Sequence, residues 1–219
     1  MIRLVNICKS YNNVTVLRDI NLHIEAQEFV AVTGSSGAGK TTLLNLISTL
    51  DGVSSGEIFF EGERIDNIAQ SKASNLRLES FGFVFQKYYL IATLNIYDNI
   101  VLPVVMNKGK IDKEYFDNLV NWLGIGELLL KMPGELSGGE QQRVAIARAL
   151  IHKPKVIFAD EPTGNLDSTN GKMVFDLLLR CVEKYGQTVV FVTHNEQFAS
   201  MVQRKIVLKD GEIIEDTKA

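Results

Sequence analysis

Eight consecutive residues, 34–41, fit the pattern G-x-x-x-x-G-K-[ST]. In this pattern the glycines let backbone N–H groups point at phosphate oxygens, the lysine reaches the β- and γ-phosphates, and the final hydroxyl ligates Mg²⁺. We therefore expect a nucleoside triphosphate site in which Lys40 acts in catalysis and Thr41 holds the metal. The residues expected to contact the nucleotide here are Gly34, Ser35, Ser36, Gly37, Ala38, Gly39, Lys40, Thr41 and Thr42.

A second glycine segment, Ser137-Gly138-Gly139-Glu140, lies about a hundred residues further on. It is a capping box at the start of a helix predicted over residues 141–151. Helix initiation alone could explain all four residues. However, two glycines are poor helix formers, and without side chains they let a large anion approach the helix N-terminus, so we favour a phosphate site. Since one ATP needs one phosphate cradle, the second segment predicts a site completed by another copy of the chain.

Four short apolar runs are each followed at once by polar residues that could act on a nucleotide. Continuous β-branched and aromatic runs are typical of parallel strands covered on both faces. Ligands of such sheets bind beyond the carboxyl ends of the strands, so we expect the polar residues to surround one ligand. The runs are residues 29–33 before Gly34, 81–85 before Gln86, 156–159 before Asp160 and Glu161, and 189–193 before His194.

Each of these strand-end residues has an expected role and an ordinary alternative. We expect Asp160 to hold Mg²⁺ and Glu161 to polarise a water molecule for attack on the γ-phosphate, although both could belong to a plain turn before Pro162. We expect His194 to contact the γ-phosphate, although a histidine there is often a cap. Gln86 is expected to contact the metal or its water, although it could be a surface residue.

The predicted fold is α/β, with a P-loop NTPase core built on a mostly parallel sheet. Residues 1–25 and 57–64 alternate polar and apolar side chains and predict an antiparallel β subdomain. Helices are predicted over residues 41–50 and 172–185. An inserted helical subdomain is predicted over about 87–150, within a single domain over 1–219.

Composition excludes several classes of protein. The net charge is -3 without a Lys/Arg block, which argues against a nucleic-acid partner. Cys8 and Cys181 are far apart and lack neighbours at metal spacing, so we expect neither a disulfide scaffold nor a zinc site. No run of 18 apolar residues is present, so we expect no membrane span, and the N-terminus lacks the apolar stretch of a signal peptide.

Residues 136–143, Leu-Ser-Gly-Gly-Glu-Gln-Gln-Arg, resemble the signature of ATP-binding-cassette ATPases, and the resemblance covers essentially the whole chain. It implies that ATP and Mg²⁺ are the cofactors and that two copies pair head to tail, each ATP lying between one copy's phosphate loop and the other's signature, Ser137 to Glu140. It also implies a separate membrane permease as partner, and hence a cytoplasmic location at the inner face of the membrane. The corresponding residues are Tyr11, which would stack on adenine, 34–41 (Walker A), Gln86 (Q-loop), 156–160 (Walker B), Glu161 (catalytic glutamate), 164–167 (D-loop) and His194 (switch histidine).

Residues 160–168 are most similar to the branch that serves lipoprotein release, macrolide or peptide export, antimicrobial-peptide resistance and cell division. The alternatives are an amino-acid importer cassette, a soluble cassette acting on ribosomes or DNA, and a nucleotide-binding regulator that does not hydrolyse. Intact Lys40, Glu161 and His194 argue against the regulator. The run 88–92, Tyr-Tyr-Leu-Ile-Ala, could be buried in the subdomain core or form a groove for a partner's short helix.

Overall fold

Two β-sheets and seven α-helices make up the fold in the computed structural model, which describes residues 1–218. The larger sheet has the strand order β10-β9-β3-β8-β7-β6, and its strands are parallel except for β10. The smaller sheet has the order β2-β1-β4-β5 and is antiparallel. The strands are β1 Ile2–Tyr11, β2 Val14–Ile24, β3 Phe29–Gly34, β4 Ser55–Phe60, β5 Glu63–Arg64, β6 Phe81–Phe85, β7 Val156–Asp160, β8 Thr188–Val192, β9 Arg204–Lys209 and β10 Glu212–Lys218.

Both faces of the parallel sheet are covered, as the continuous apolar runs predicted. Along β3, Phe29 and Ala31 pack into the core on one face, while Val30 and Val32 pack into the core on the other. This alternation follows from the two-residue period of a strand, and it recurs in β7 and β8. One core lies against the helices α3 to α6, and the other lies between the two sheets around α1. The four strands that precede the polar candidate residues, β3, β8, β7 and β6, are therefore neighbours, and their carboxyl ends lie at the same edge of the sheet.

Helices fill the chain between the neighbouring strands β6 and β7, in agreement with the inserted helical segment predicted there. Three helices and two short 3-10 turns lie in this stretch. How the chain divides into domains remains a prediction. The helices are α1 Lys40–Ile47, α2 Gln70–Ser80, α3 Ile96–Met106, α4 Lys113–Leu123, α5 Gly138–Leu150, α6 Ser168–Tyr185 and α7 Glu196–Ala199.

Several predicted boundaries differ from the structure. The first predicted helix ends earlier, at Ile47. Helix α5 begins at Gly138 rather than at residue 141, because both glycines adopt helical positions behind the cap. Helix α6 begins at Ser168, four residues before the predicted start, because the Asp167 carboxylate accepts hydrogen bonds from two backbone N–H groups of the first turn. None of the helices within residues 1–218 combines the length and the hydropathy needed to cross a bilayer.

Candidate functional site

The loop between β3 and α1 has the backbone geometry that only glycine allows at two positions. Gly34 has a φ of 144°, and a Cβ atom there would lie 2.1 Å from the carbonyl oxygen of Leu208. Gly39 has a φ of 102°, and its Cβ atom would meet the Leu17 side chain at 2.6 Å. Substitution at either position is therefore strained by conformation and by contact. The loop is wrapped tightly against two strands and leads directly into the N-terminus of α1.

A cavity of about 270 Å³ lies over this loop. It brings together residues from two of the predicted strand ends, after β7 and β8, and from the loop that follows β3. The Lys40 ammonium donates hydrogen bonds to the carbonyl oxygens of Gly34 and Ser35, each at 2.9 Å. An ammonium has three donors, so one remains for another acceptor, and burial lowers the pKa of Lys40. The cavity is lined by Val16, Ser36, Gly37, Gly39, Lys40, Thr41, Thr42, Glu161 and His194.

Asp160 lies at the end of β7 beside the first turn of α1. Its Oδ1 accepts a hydrogen bond from the Thr41 hydroxyl at 3.2 Å. Burial is the largest effect on the pKa of Asp160 and raises it, while the hydrogen bond from Thr41 and the charge of Lys40 act in the opposite direction. A half-buried carboxylate next to a hydroxyl is the hard-oxygen set that Mg²⁺ prefers, so these two residues fit the metal. No group of three His, Cys, Asp or Glu residues with metal-binding geometry occurs in the described chain, so phosphate oxygens and water would supply the other ligands.

Glu161 and Asp160 point to different partners, as the sequence predicted. Glu161 Oε1 lies 2.5 Å from His194 Nε2, which follows the end of β8. Glu161 also has a φ of 47°, a left-handed conformation that is unusual for a residue with a side chain. The glutamate and the histidine both line the cavity that contains Lys40. A carboxylate is therefore held beside an imidazole at the position where it could accept a proton from water.

Gln86 is one of the strand-end residues that do not line this cavity. Its side-chain Nε2 donates to Asn165 Oδ1 at 3.2 Å, and its backbone oxygen accepts from Asn165 Nδ2 at 3.2 Å. These bonds hold Gln86 to Asn165 through its side-chain nitrogen and its backbone oxygen, whereas a metal would bind the side-chain oxygen. That contact stays a prediction. Sequence reasoning missed Asn165 as the partner, because only the fold brings these two loops together.

Tyr11 ends β1 close to the phosphate loop without lining the cavity. Its ring is 43% exposed, and its hydroxyl donates a hydrogen bond to Asp51, just beyond α1. Burial and this carboxylate raise the pKa of Tyr11 to about 12, while a hydrogen bond with Thr42 acts in the opposite direction. Thr42 also lines the cavity, so the aromatic ring stands at its edge.

The second glycine segment forms the capping box that the sequence predicted. The backbone N–H of Ser137 donates to Glu140 Oε2 at 2.8 Å, and the backbone N–H of Glu140 donates to Ser137 Oγ at 3.4 Å. Hydrogen bonds from Ser137 lower the pKa of Glu140. None of residues 137–140 lines the cavity over Lys40. The two glycine segments of one chain therefore lie at two separate sites in the fold.

The two glycines also have close neighbours within the chain itself. A Cβ atom on Gly138 would lie 2.8 Å from the Tyr88 hydroxyl, and one on Gly139 would lie 3.2 Å from the Asn170 side chain. Close packing is thus an additional reason for glycine at both positions, beyond access for an anion. Ser137 and Gly138 nevertheless remain exposed at the N-terminus of α5.

Ser137→Ala is expected to reduce the free energy of unfolding by about 1 kcal/mol, because it removes the side-chain acceptor of the cap. Urea denaturation followed by circular dichroism measures this loss. Ser71→Ala is a matched control, since Ser71 is an exposed serine inside α2 that does not cap a helix. Equal stability of the Ser137→Ala variant and the parent would contradict a role of Ser137 as the cap.

An apolar groove of about 450 Å³ lies between α2, α3, α5 and β6. Phe83, Phe85, Tyr89 and Met106 line it, and Tyr89 is 63% exposed. Tyr88 and Leu90 are half-buried, whereas Tyr89, Ile91 and Ala92 are exposed. The aromatic run is thus divided between the core and a groove, the two possibilities that the sequence left open.

Arg148 of α5 fixes the shape of this groove. Its guanidinium donates hydrogen bonds to the carbonyl oxygens of Tyr89 at 2.7 Å and Tyr88 at 2.8 Å. Tyr89 has a φ of 47°, so these bonds hold a backbone conformation that is otherwise unfavourable. Sequence reasoning did not find Arg148, because an arginine inside a helix carries no signal of a distant loop partner.

Comparison with known proteins agrees with this geometry. Residues 17–164 match the family described as ABC transporter. The chain is 43% identical to the lipoprotein-releasing system ATP-binding protein LolD of Aquifex aeolicus, over 98% of this chain and 96% of LolD. It is also 46% identical to the macrolide export ATP-binding/permease protein MacB of Campylobacter jejuni, over 100% of this chain but 34% of MacB. The chain therefore spans about a third of the length of that relative.

A solved structure has the same fold. The ATP-binding cassette MJ0796, described as a dimer in a post-hydrolysis state bound to ADP and Pi, superimposes with a TM-score of 0.91 at 37% identity, covering 100% of this chain and 98% of that one. The match extends over the phosphate loop, the strand ends and the signature segment. The chain belongs to the ABC transporter family and is an ATP-binding cassette that hydrolyses ATP.

Proposed function

We propose that this cassette pairs with a second copy of itself around two MgATP molecules and drives a separate membrane permease. The observation that carries the pairing is the separation of its two phosphate-binding segments, since residues 137–140 line no part of the cavity over Lys40. In a head-to-tail pair, the exposed N-terminus of α5 from one copy faces the phosphate loop of the other. The dimeric description of MJ0796 supports this arrangement. Mixing Lys40→Ala and Ser137→Arg proteins tests it, because hydrolysis should return only if sites are shared.

In this proposal the residues of the cavity have different roles in phosphoryl transfer. Backbone N–H groups of 34–39 and the free donor of Lys40 bind the phosphates, and residues Ser137 to Gly139 of the partner copy bind the γ-phosphate from the other side. Thr41 and Asp160 would hold Mg²⁺, which would supply positive charge to neutralise the phosphate oxygens. Gln86 would contact the metal or its water through its side-chain oxygen.

The Glu161 carboxylate acts as the general base. It accepts a proton from the water that attacks the γ-phosphate in line, and the bond between the γ-phosphorus and the bridging oxygen breaks, so that ADP leaves. His194 holds the carboxylate by the 2.5 Å contact and orients it toward the phosphate. Glu161 has an unusual left-handed backbone conformation and lines the cavity that contains Lys40. Tyr11 stacks on adenine at the edge of the site.

The permease would dock in the apolar groove beside Tyr89. A groove lined by aromatic and aliphatic side chains suits a short amphipathic helix from a membrane protein. The names of MacB and LolD support the branch that serves macrolide export and lipoprotein release. In this function the cassette is cytoplasmic and attached to the inner face of the membrane through its permease, with no nucleic-acid partner.

Met106→Glu is expected to abolish permease-stimulated ATP hydrolysis while leaving the basal rate of the isolated cassette unchanged. The reason is that an unpaired carboxylate in an apolar contact carries a desolvation cost. Val105→Glu is a matched control: Val105 is 57% exposed and Met106 is 60% exposed, yet only Met106 lines the groove. The measurement uses the cassette reconstituted with its permease. Equal stimulation of both variants would place the docking surface elsewhere.

A further inference from the structure

The ring of Tyr11 has a cation behind it. The Lys9 ammonium lies 4.5 Å from the centroid of the Tyr11 ring, and both residues belong to β1. Residues two apart in a strand lie on the same face, and the register shift between Lys9 and Ser10 places its extra residue on β2, so the two side chains of β1 meet. Because a cation covers one face of the ring, only the other face can receive a flat ligand.

Lys9 is fixed in this position by its own contacts. The residue is 8% exposed, and its ammonium donates to Asp51 Oδ1 at 2.8 Å and to the Gly52 carbonyl oxygen at 2.6 Å. An ammonium has three N–H donors. These two bonds use two of them, and the third remains available to the face of the Tyr11 ring. The side chain thus connects β1 to the loop that follows α1, the helix that begins at the phosphate loop.

Asp51 fixes the other end of the tyrosine. It accepts hydrogen bonds from the Tyr11 hydroxyl, from Lys9 and from the backbone N–H of Gly52 at 2.7 Å. Burial alone would raise the pKa of Asp51, but the bonds from Lys9, Tyr11 and Gly52 outweigh it and lower the pKa. Asp51 is therefore an anion near neutral pH, and it holds the tyrosine hydroxyl as a donor.

We infer that Lys9 and Asp51 are positioning residues for the adenine base. Together they hold the Tyr11 ring with one face against the ammonium and the other face presented to the nucleotide. This inference rests on the proposed stacking of Tyr11 on adenine. It adds that the stacking surface is built before the nucleotide arrives, and that the cation behind the ring makes the exposed face less electron-rich, which strengthens stacking with a purine.

The test compares two probes that differ in the base. Equilibrium dissociation constants are measured by calorimetry for MgATP and for inorganic tripolyphosphate with Mg²⁺, which has the phosphates but neither ribose nor adenine. Lys9→Met keeps the length of the side chain and removes its charge. The matched control is Lys155→Met, because Lys155 is an exposed lysine paired with Glu61 at the opposite end of the parallel strands.

Lys9→Met is expected to weaken MgATP binding about two- to five-fold, the range for a cation–π contact. Tripolyphosphate binding should not change, and Lys155→Met should change neither constant. Tyr11→Ala should weaken MgATP binding about five- to a hundred-fold, as removal of a base-stacking aromatic does. In the Tyr11→Ala background, Lys9→Met should have no further effect, because the ring through which it acts is gone. Like Lys9→Met, Asp51→Asn should weaken the binding of MgATP and leave the binding of tripolyphosphate unchanged.

Different results overturn different statements. If Lys9→Met weakened both probes equally, Lys9 would act on the phosphate loop or on folding, and the positioning role would be lost. The same conclusion would follow if its effect persisted in the Tyr11→Ala background. If Tyr11→Ala left MgATP binding unchanged, the proposed stacking itself would fail, whereas the phosphate site would still be tested separately by tripolyphosphate.

Discussion

Replacing Glu161 with glutamine is expected to leave MgATP binding intact and to lower the turnover rate about 10²- to 10⁴-fold, the usual contribution of a general base. The amide keeps the shape of the side chain and can still hydrogen-bond to His194, but it cannot accept a proton from water. Loss of the negative charge should also favour a closed pair with ATP bound. Phosphate release measures the rate, and size-exclusion chromatography with ATP should show a dimer for the variant.

The control for this substitution is Glu196→Gln, the same change at an exposed glutamate that pairs with Lys205 at 2.6 Å. It should hydrolyse ATP at the parent rate, since Glu196 does not line the cavity over Lys40. A Glu161→Gln variant that hydrolyses at the rate of this control would remove Glu161 from the catalytic role. The 2.5 Å contact with His194 would then be a structural pairing only.

Two inactive variants are expected to restore hydrolysis when they are mixed. Lys40→Ala removes the phosphate-binding ammonium, and Ser137→Arg places a bulky cation at the N-terminus of α5. In a head-to-tail pair of one with the other, one shared site has both changes and the other has neither. Random pairing of equal amounts should recover about a quarter of the parent rate if the sites act independently, because half of the pairs are mixed and each has one intact site.

The opposite outcome is equally clear. If each ATP used the Ser137 of its own chain, every site in the mixture would contain one change, and activity would stay at the level of the single variants. Ser71→Arg, an exposed position in α2, is the control and should remain fully active by itself. Circular dichroism of Ser137→Arg confirms folding, since that change also removes a helix cap.

The strand ends that carry the site could be predicted because their signals are local. A run such as 156–159 is apolar at every position, so it must be covered on both faces, and the polar residues after it must lie at the sheet edge. The pairing of Asp160 with Thr41 and of Glu161 with His194 follows once the strands are neighbours. The capping box at Ser137 was equally local.

The remaining features depend on contacts between distant parts of the chain. Strands β9 and β10 were not predicted, although Asp210-Gly211 between them is a hairpin signal, because β10 is polar and largely exposed at the sheet edge. The pairing of Gln86 with Asn165 joins two loops that are remote in sequence. No periodicity or motif in either segment specifies its partner, so only the folded chain determines it.

Helix α5 connects the exposed glycine segment at its N-terminus with the apolar groove near its C-terminus. Its first residue, Gly138, packs against the Tyr88 hydroxyl, and near its last turn Arg148 holds the groove at Tyr89. Its 13 residues span about 20 Å as a rigid rod. A tilt of about 5° at the groove therefore displaces the opposite end by about 2 Å, more than a hydrogen bond tolerates. Because the helix is rigid, a shift of the groove at Arg148 also moves the exposed N-terminus of α5, and a shift of that N-terminus also moves the groove.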